Sequence, residues 1–140
     1  MDFMRACVVL MAVASALVAS CATSPGAQQR ELLVRQWRQQ IHVLGAVKTS
    51  DWFFSANGRY ELTGYSDSRG MRASHVPEHG AWTLTGSTLE LRQLPAAEPG
   101  QPAPQPTTEV RRIVKLTAEE FVTADTRFGI ELAYSRVRAQ

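Results

Sequence analysis

The chain has 140 residues, of which 44% are hydrophobic, an ordinary content for one globular domain with a single core. Its formal net charge is +2, with fifteen Lys and Arg interspersed among thirteen Asp and Glu. That balance argues against a nucleic-acid surface, and the one adjacent basic pair, Arg111-Arg112, reads as a solvated strand edge.

Residues 6–18 form an apolar run interrupted only by Ser15, too short to span a bilayer as a mature helix and right for the core of a signal peptide. Before it Arg5 is the sole basic side chain and Asp2 opposes it, which favours Met4 as the start of translation. The run ends in Val18-Ala19-Ser20-Cys21, which resembles the bacterial lipobox of an aliphatic residue, two small residues and a Cys. The resemblance implies cleavage between Ser20 and Cys21 and lipidation of the Cys21 thiol. The alternative is ordinary secretory cleavage beside a chance Cys. Two or more acyl chains make a stable membrane anchor, since each buried methylene contributes ~0.8 kcal/mol. Cys7 is then discarded and Cys21 consumed, so no disulfide is expected. Ala22 follows where Asp would signal inner-membrane retention, so the resemblance points to the periplasmic face of the outer membrane.

Residues 22–29 are small and polar and read as a flexible tether. The expected organisation is a signal peptide over 1–20, lipidated Cys and tether over 21–31, and one folded domain over 32–140. Over 30–44, Leu33, Trp37, Ile41 and Leu44 recur at helical spacing, whereas Trp37, Ile41 and Val43 also fit one strand face broken by polar Gln39. A short helical lead-in to about Arg35 followed by a strand from Trp37 is favoured, and a longer helix is the alternative.

Trp52 to Tyr65 holds two apolar runs divided by Asn57-Gly58, a dipeptide suited to a tight turn with φ > 0 at both central residues. Tyr60 and Leu62 alternate with Arg59, Glu61 and Thr63, the period of a half-buried strand. A second hairpin spans 81–92, where Trp82, Leu84, Leu89 and Leu91 face inward about a Gly86-Ser87 turn. Residues 95–106 hold five of the seven prolines and must form an exposed loop. Thr117-x-x-Glu120 matches a helix capping box but separates two strand-like runs by only a few residues, so it reads as a turn. Strands are expected over 37–43, 52–55, 59–65, 71–75, 81–85, 88–94, 110–116, 121–124 and 130–137. About eight or nine short strands make an all-β protein, an antiparallel sandwich or barrel.

This pattern resembles the small lipocalin-like domains of bacterial lipoproteins, which open with L-x-G-x-W and carry an F-x-x-D/N-G-x-Y hairpin, a G-x-W strand and an L-x-L pair. The matching residues are Leu33 and Trp37, Phe54 with Asn57-Gly58 and Tyr60, Gly80 with Trp82, and Leu89 with Leu91, although Arg35 holds the first Gly position. The likeness covers about residues 32–138 and implies an up-and-down β-barrel. Fold alone assigns no activity.

His75-Val76-Pro77-Glu78-His79 reads as H-x-x-E-H, a zinc motif when helical, but Pro77 and Gly80 oppose a helix, and in a strand the two His stand ~13 Å apart. No metal site, cofactor or catalytic residue is expected; Ser74-His75 lacks a nucleophile elbow, and Asp67, Asp125, Glu78 and Glu119 sit in turns. The aromatic set Trp37, Trp52, Phe54, Tyr60, Trp82, Phe121 and Tyr134 either fills a barrel or lines an apolar pocket. The expected function is a non-enzymatic, lipid-anchored binding module for a small apolar ligand. The alternative is an interaction or envelope-assembly accessory that contacts a partner through its loops, 95–106 above all.

Overall fold

The computed structural model describes residues 24–139, so the lipobox, Cys21 and the start site lie outside the described residues. One helix, α1 (Pro25–Leu33), precedes nine strands: β1 (Gln36–Val43), β2 (Ala46–Phe54), β3 (Arg59–Ser68), β4 (Met71–Ser74), β5 (Glu78–Thr85), β6 (Thr88–Gln93), β7 (Thr107–Leu116), β8 (Glu120–Asp125) and β9 (Glu131–Arg136). Neighbours pair antiparallel in the order β2-β1-β9-β8-β7-β6-β5-β3, and β2 also pairs with β3. That last pairing closes eight strands into a barrel. β4 is a ninth strand, paired only with the far half of β3 through Tyr65 to Ser68.

The division over 30–44 resolves as helix to Leu33 and strand from Gln36. The helix starts earlier than expected, so residues 25–29, read as flexible tether, belong to it. Ser24 caps it by accepting the Ala27 N–H at 3.3 Å, and Pro25 occupies the first turn, where its missing N–H costs nothing. β2 likewise begins at Ala46 rather than Trp52, because its first half is polar and shows no alternation in the sequence.

The hairpin turns correct another expectation. Among the described residues only Leu44 (φ 47°) and Arg69 (φ 50°) have positive φ besides glycines, so Asn57 does not adopt the geometry assigned to it. Ser55 to Gly58 forms a longer loop in which Gly58 alone is left-handed, and Asn57 Oδ1 instead accepts the Arg59 N–H at 3.1 Å. Two-residue turns with both φ positive occur at Leu44-Gly45 and Arg69-Gly70. Thr117 to Glu119 is a turn as expected, its Thr117 hydroxyl accepting the Glu119 and Glu120 N–H groups.

Alternation sends one residue in two to the interior. Leu33, Trp37, Trp52, Phe54, Tyr60, Trp82, Leu89, Leu91, Ile113, Phe121 and Tyr134 make one contiguous buried cluster. A register shift between Ile113 and Lys115 lets both Ile113 and Leu116 meet that cluster. The helix end of the barrel is its floor: the Trp37 indole donates to the Leu33 carbonyl at 3.0 Å, the Trp82 indole donates to the Arg59 carbonyl at 3.0 Å, and the Arg30 guanidinium lies 4.3 Å over the Trp82 ring. The turns Leu44-Gly45, Arg69-Gly70 and 126–129, and the loop 94–106, all lie at the opposite end.

Candidate functional site: the open end of the barrel

The seven aromatic residues singled out from the sequence all point inward and are buried. They pack on one another, with ring centroids 4.8 Å apart for Phe121 and Tyr134, 5.5 Å for Trp37 and Phe121, and 5.8 Å for Phe54 and Trp82. Interlocked at these distances they fill the lower half of an eight-stranded barrel, whose bore is just wide enough for side chains.

Above the rings the inward positions turn polar. Gln39 on β1 and Ser50 on β2 face each other across the ladder, and on the far side Arg111, Thr123 and Tyr134 come together from β7, β8 and β9. Arg111 Nη1 donates to the Tyr134 hydroxyl at 2.7 Å and to Thr123 Oγ1 at 3.4 Å. Its Nε and Nη2 both reach Glu109 Oε1, at 2.7 and 2.6 Å. The Arg111 side chain is 13% exposed and that of Glu109 49%, so the carboxylate stands in the mouth and the guanidinium inside. Burial pushes the Tyr134 phenol above its ordinary pKa; the Arg111 charge acts in the opposite sense without reversing the shift.

Arg111, expected at a solvated strand edge, instead lies inside the barrel, whereas Arg112 is exposed as expected. The signal was present, since Arg111 shares its parity with Ile113 and so belongs to the inner face. Gln39 shares parity with Trp37 in the same way.

Two buried donors in this region have no partner: the Gln39 side-chain amide nitrogen and the Trp52 indole nitrogen, in residues only 7% and 8% exposed. An orphaned buried N–H costs about 1–3 kcal/mol. Trp52 touches Tyr134 edge to face at 6.3 Å, which joins its indole to the Arg111 cluster.

The rim is apolar. Of the nine exposed large apolar side chains among the described residues, six stand at this end: Val43, Leu44, Met71, Val76, Phe128 and Ile130. Leu44 is fully exposed and also left-handed, two unfavourable choices at one residue.

His75 and His79 do not share a helix. His75 Nε2 lies 2.8 Å from Ser66 Oγ in the link after β4, and His79 pairs with Glu61 within the sheet. Among the described residues no group of three or more His, Cys, Asp or Glu is placed to hold a metal. A depression of about 430 Å³ is an open groove on the outer wall beside Phe53, Arg59 and His79. No protein-family model and no curated protein sequence matches the chain.

Proposed function

We propose that the protein is a non-enzymatic binding barrel, anchored through lipid on Cys21 at the periplasmic face of the outer membrane, that takes a small ligand with an apolar part into its open end. Leu44 carries this reading. A fully exposed Leu in a left-handed turn harms both solubility and backbone energy, and such departures from local rules concentrate at functional sites. Five further apolar side chains crown the same end.

The tether supports the orientation. Only three Cα steps separate Cys21 from the cap residue Ser24, about 11 Å when extended, so an acylated sulfur holds the floor close to the bilayer and leaves the mouth facing away.

Three measurements test the proposal. Labelled palmitate should enter the wild type and not Cys21→Ser; equal labelling removes the anchor. Native mass spectrometry of protein isolated from cells should find a bound small molecule or uptake of added fatty acid. Leu44→Asn should stabilise the fold by about 0.5–1 kcal/mol, because Asn tolerates the left-handed region, while weakening uptake. A barrel that stays empty with every apolar probe refutes the binding role.

A second reading, a partner-contacting envelope accessory, is favoured by the loop 94–106, which is exposed from Ala96 onward and lies beside the same mouth. In-cell crosslinks from this loop that vanish on its deletion would support it.

A further inference from the structure

We infer that the lower corner of the barrel, where β1, β2 and β9 meet, docks on anionic phospholipid, seating one lipid phosphodiester between Arg38, Arg136 and Arg138 with Phe53 beside it at the bilayer surface. This rests on the proposed lipid anchor, and adds to it the surface by which an anchored barrel is held in one orientation.

Charge is divided along the barrel axis. At the floor, α1 and the turns and strand ends 34–36, 55–59, 85–88, 115–120 and 136–138 hold six Arg and Lys against three Glu. At the mouth, residues 43–46, 67–72, 75–78, 93–107 and 125–131 hold three Arg against five Asp and Glu. The positive end is the one that the short tether joins to Cys21, within reach of lipid head groups. A negatively charged leaflet attracts this floor and repels the mouth.

The guanidiniums gather at one corner. Arg38, Ser135, Arg136, Val137 and Arg138 line a depression of about 350 Å³ where β1 meets β9 in a short ladder of two pairs, Trp37 with Arg136 and Arg38 with Ser135. The side chains of Arg38, Arg136 and Arg138 are 39%, 41% and 77% exposed, so all three cations are open to a ligand. Two carboxylates face them. Asp51 accepts from Arg38 Nε and Nη2, each at 2.8 Å, and Glu119 lies 3.6 Å from Arg136 and 2.9 Å from Arg138. Three cations on two anions leave one positive charge over, which a singly charged phosphodiester neutralises, and its two free oxygens match the fork of a guanidinium.

Phe53 completes the corner. It is half exposed on the outer wall at the floor end of β2, opposite Gln36 in the ladder and two positions from Asp51. A ring so placed, beside cations, suits the boundary between head groups and acyl chains.

Nuclear magnetic resonance of the lipidated full chain in nanodiscs carrying a trace of gadolinium-chelating lipid tests this. The Gly86-Ser87 turn lies at the same floor on the opposite side of the barrel, four strands from β1, and serves as the internal reference. In phosphatidylglycerol–phosphatidylcholine discs the amides of Phe53 and Arg136 to Arg138 should broaden several-fold more than that of Ser87. In phosphatidylcholine alone, or at high salt, the contrast should vanish. The double variant Arg136→Gln, Arg138→Gln should abolish it in either disc, and Glu119→Gln, which frees both guanidiniums, should enlarge it. Should the double variant fail to fold, Glu119→Gln decides, and an unchanged contrast overturns the proposal.

Equal broadening at Phe53 and Ser87, or a contrast that is the same without phosphatidylglycerol, refutes the docking surface while the anchor stands. If palmitate never enters Cys21, the anchor reading falls, and the mature chain is sedimented with vesicles instead. Retention by phosphatidylglycerol vesicles, about thirtyfold weaker in the double variant, then supports the docking surface, and no retention refutes it as well.

Discussion

The ring of Tyr60 lies directly on Gly80, its ladder partner across β3 and β5, so that a methyl group at Gly80 would overlap the ring and the Arg92 carbonyl oxygen. The aromatic side chain occupies the space the glycine leaves, a device by which a closing sheet gains curvature without a hole. Gly80→Ala should therefore destabilise the barrel by about 3 kcal/mol, at the upper end of overpacking effects, as read from denaturant midpoints. Gly26→Ala, where nothing stands within 4 Å and the residue is helical, should instead stabilise by about 0.5–1 kcal/mol. Equal effects at the two sites would show that the Tyr60 contact is not tight.

The helix belongs to the fold through Leu33. Leu33 and Trp37 are fully buried, and the indole of one donates to the carbonyl of the other. Leu33→Ala should cost about 3 kcal/mol through the cavity left at the floor. Urea denaturation checks this, and a loss below about 1 kcal/mol would make the helix an appendage to the barrel rather than its seal.

Alkaline pH should weaken the barrel. Burial raises the phenols of Tyr134 and Tyr60 above their ordinary value of 10.0, and at Tyr60 the Glu78 and Glu109 charges add to the shift. Between the unfolded and folded values such a phenol binds more protons folded than unfolded. Stability is thus intact below about pH 10 and falls as pH rises through the raised pKa. Tyr134→Phe and Tyr60→Phe should each flatten the fall in denaturant midpoint between pH 9 and 11. An unchanged slope in the double variant would assign it to other groups.

The proline loop should be dispensable for folding. Residues 96–106 are exposed, and its base is set by Leu94 N–H donating to the His79 carbonyl at 2.9 Å and Thr107 Oγ1 donating to Gln93 Oε1 at 3.0 Å. Replacing 96–105 by Gly-Asn should change stability by less than about 1 kcal/mol, since loop-closure entropy varies slowly with length. A larger loss in thermal unfolding would reveal contacts that support the mouth.

Period-two alternation made most of the barrel legible in advance. Leu84, Leu89 and Leu91 announce their inner face because each neighbour along the strand is polar, and the strands lie where that pattern or its turns put them, within a few residues at the ends except for the start of β2. The first half of β2 was hidden because Lys48, Thr49 and Ser50 carry no contrast between faces. The turn at Asn57 was misjudged for a local reason: its side chain found the Arg59 N–H, and the longer loop removed the need for a left-handed Asn.

What the amino-acid order determined by itself was the inner and outer face wherever apolar and polar residues alternate, because side-chain direction follows from backbone pleat alone. Tertiary structure decided what those faces enclose. Closure through β2 and β3 brings Gln39, Trp52, Arg111 and Tyr134 from four strands into one interior, over a floor already packed with rings. Arg111 and Tyr134, 23 positions apart along the chain, meet there at 2.7 Å. Strand pairing at a distance sets that proximity, and no local periodicity encodes it.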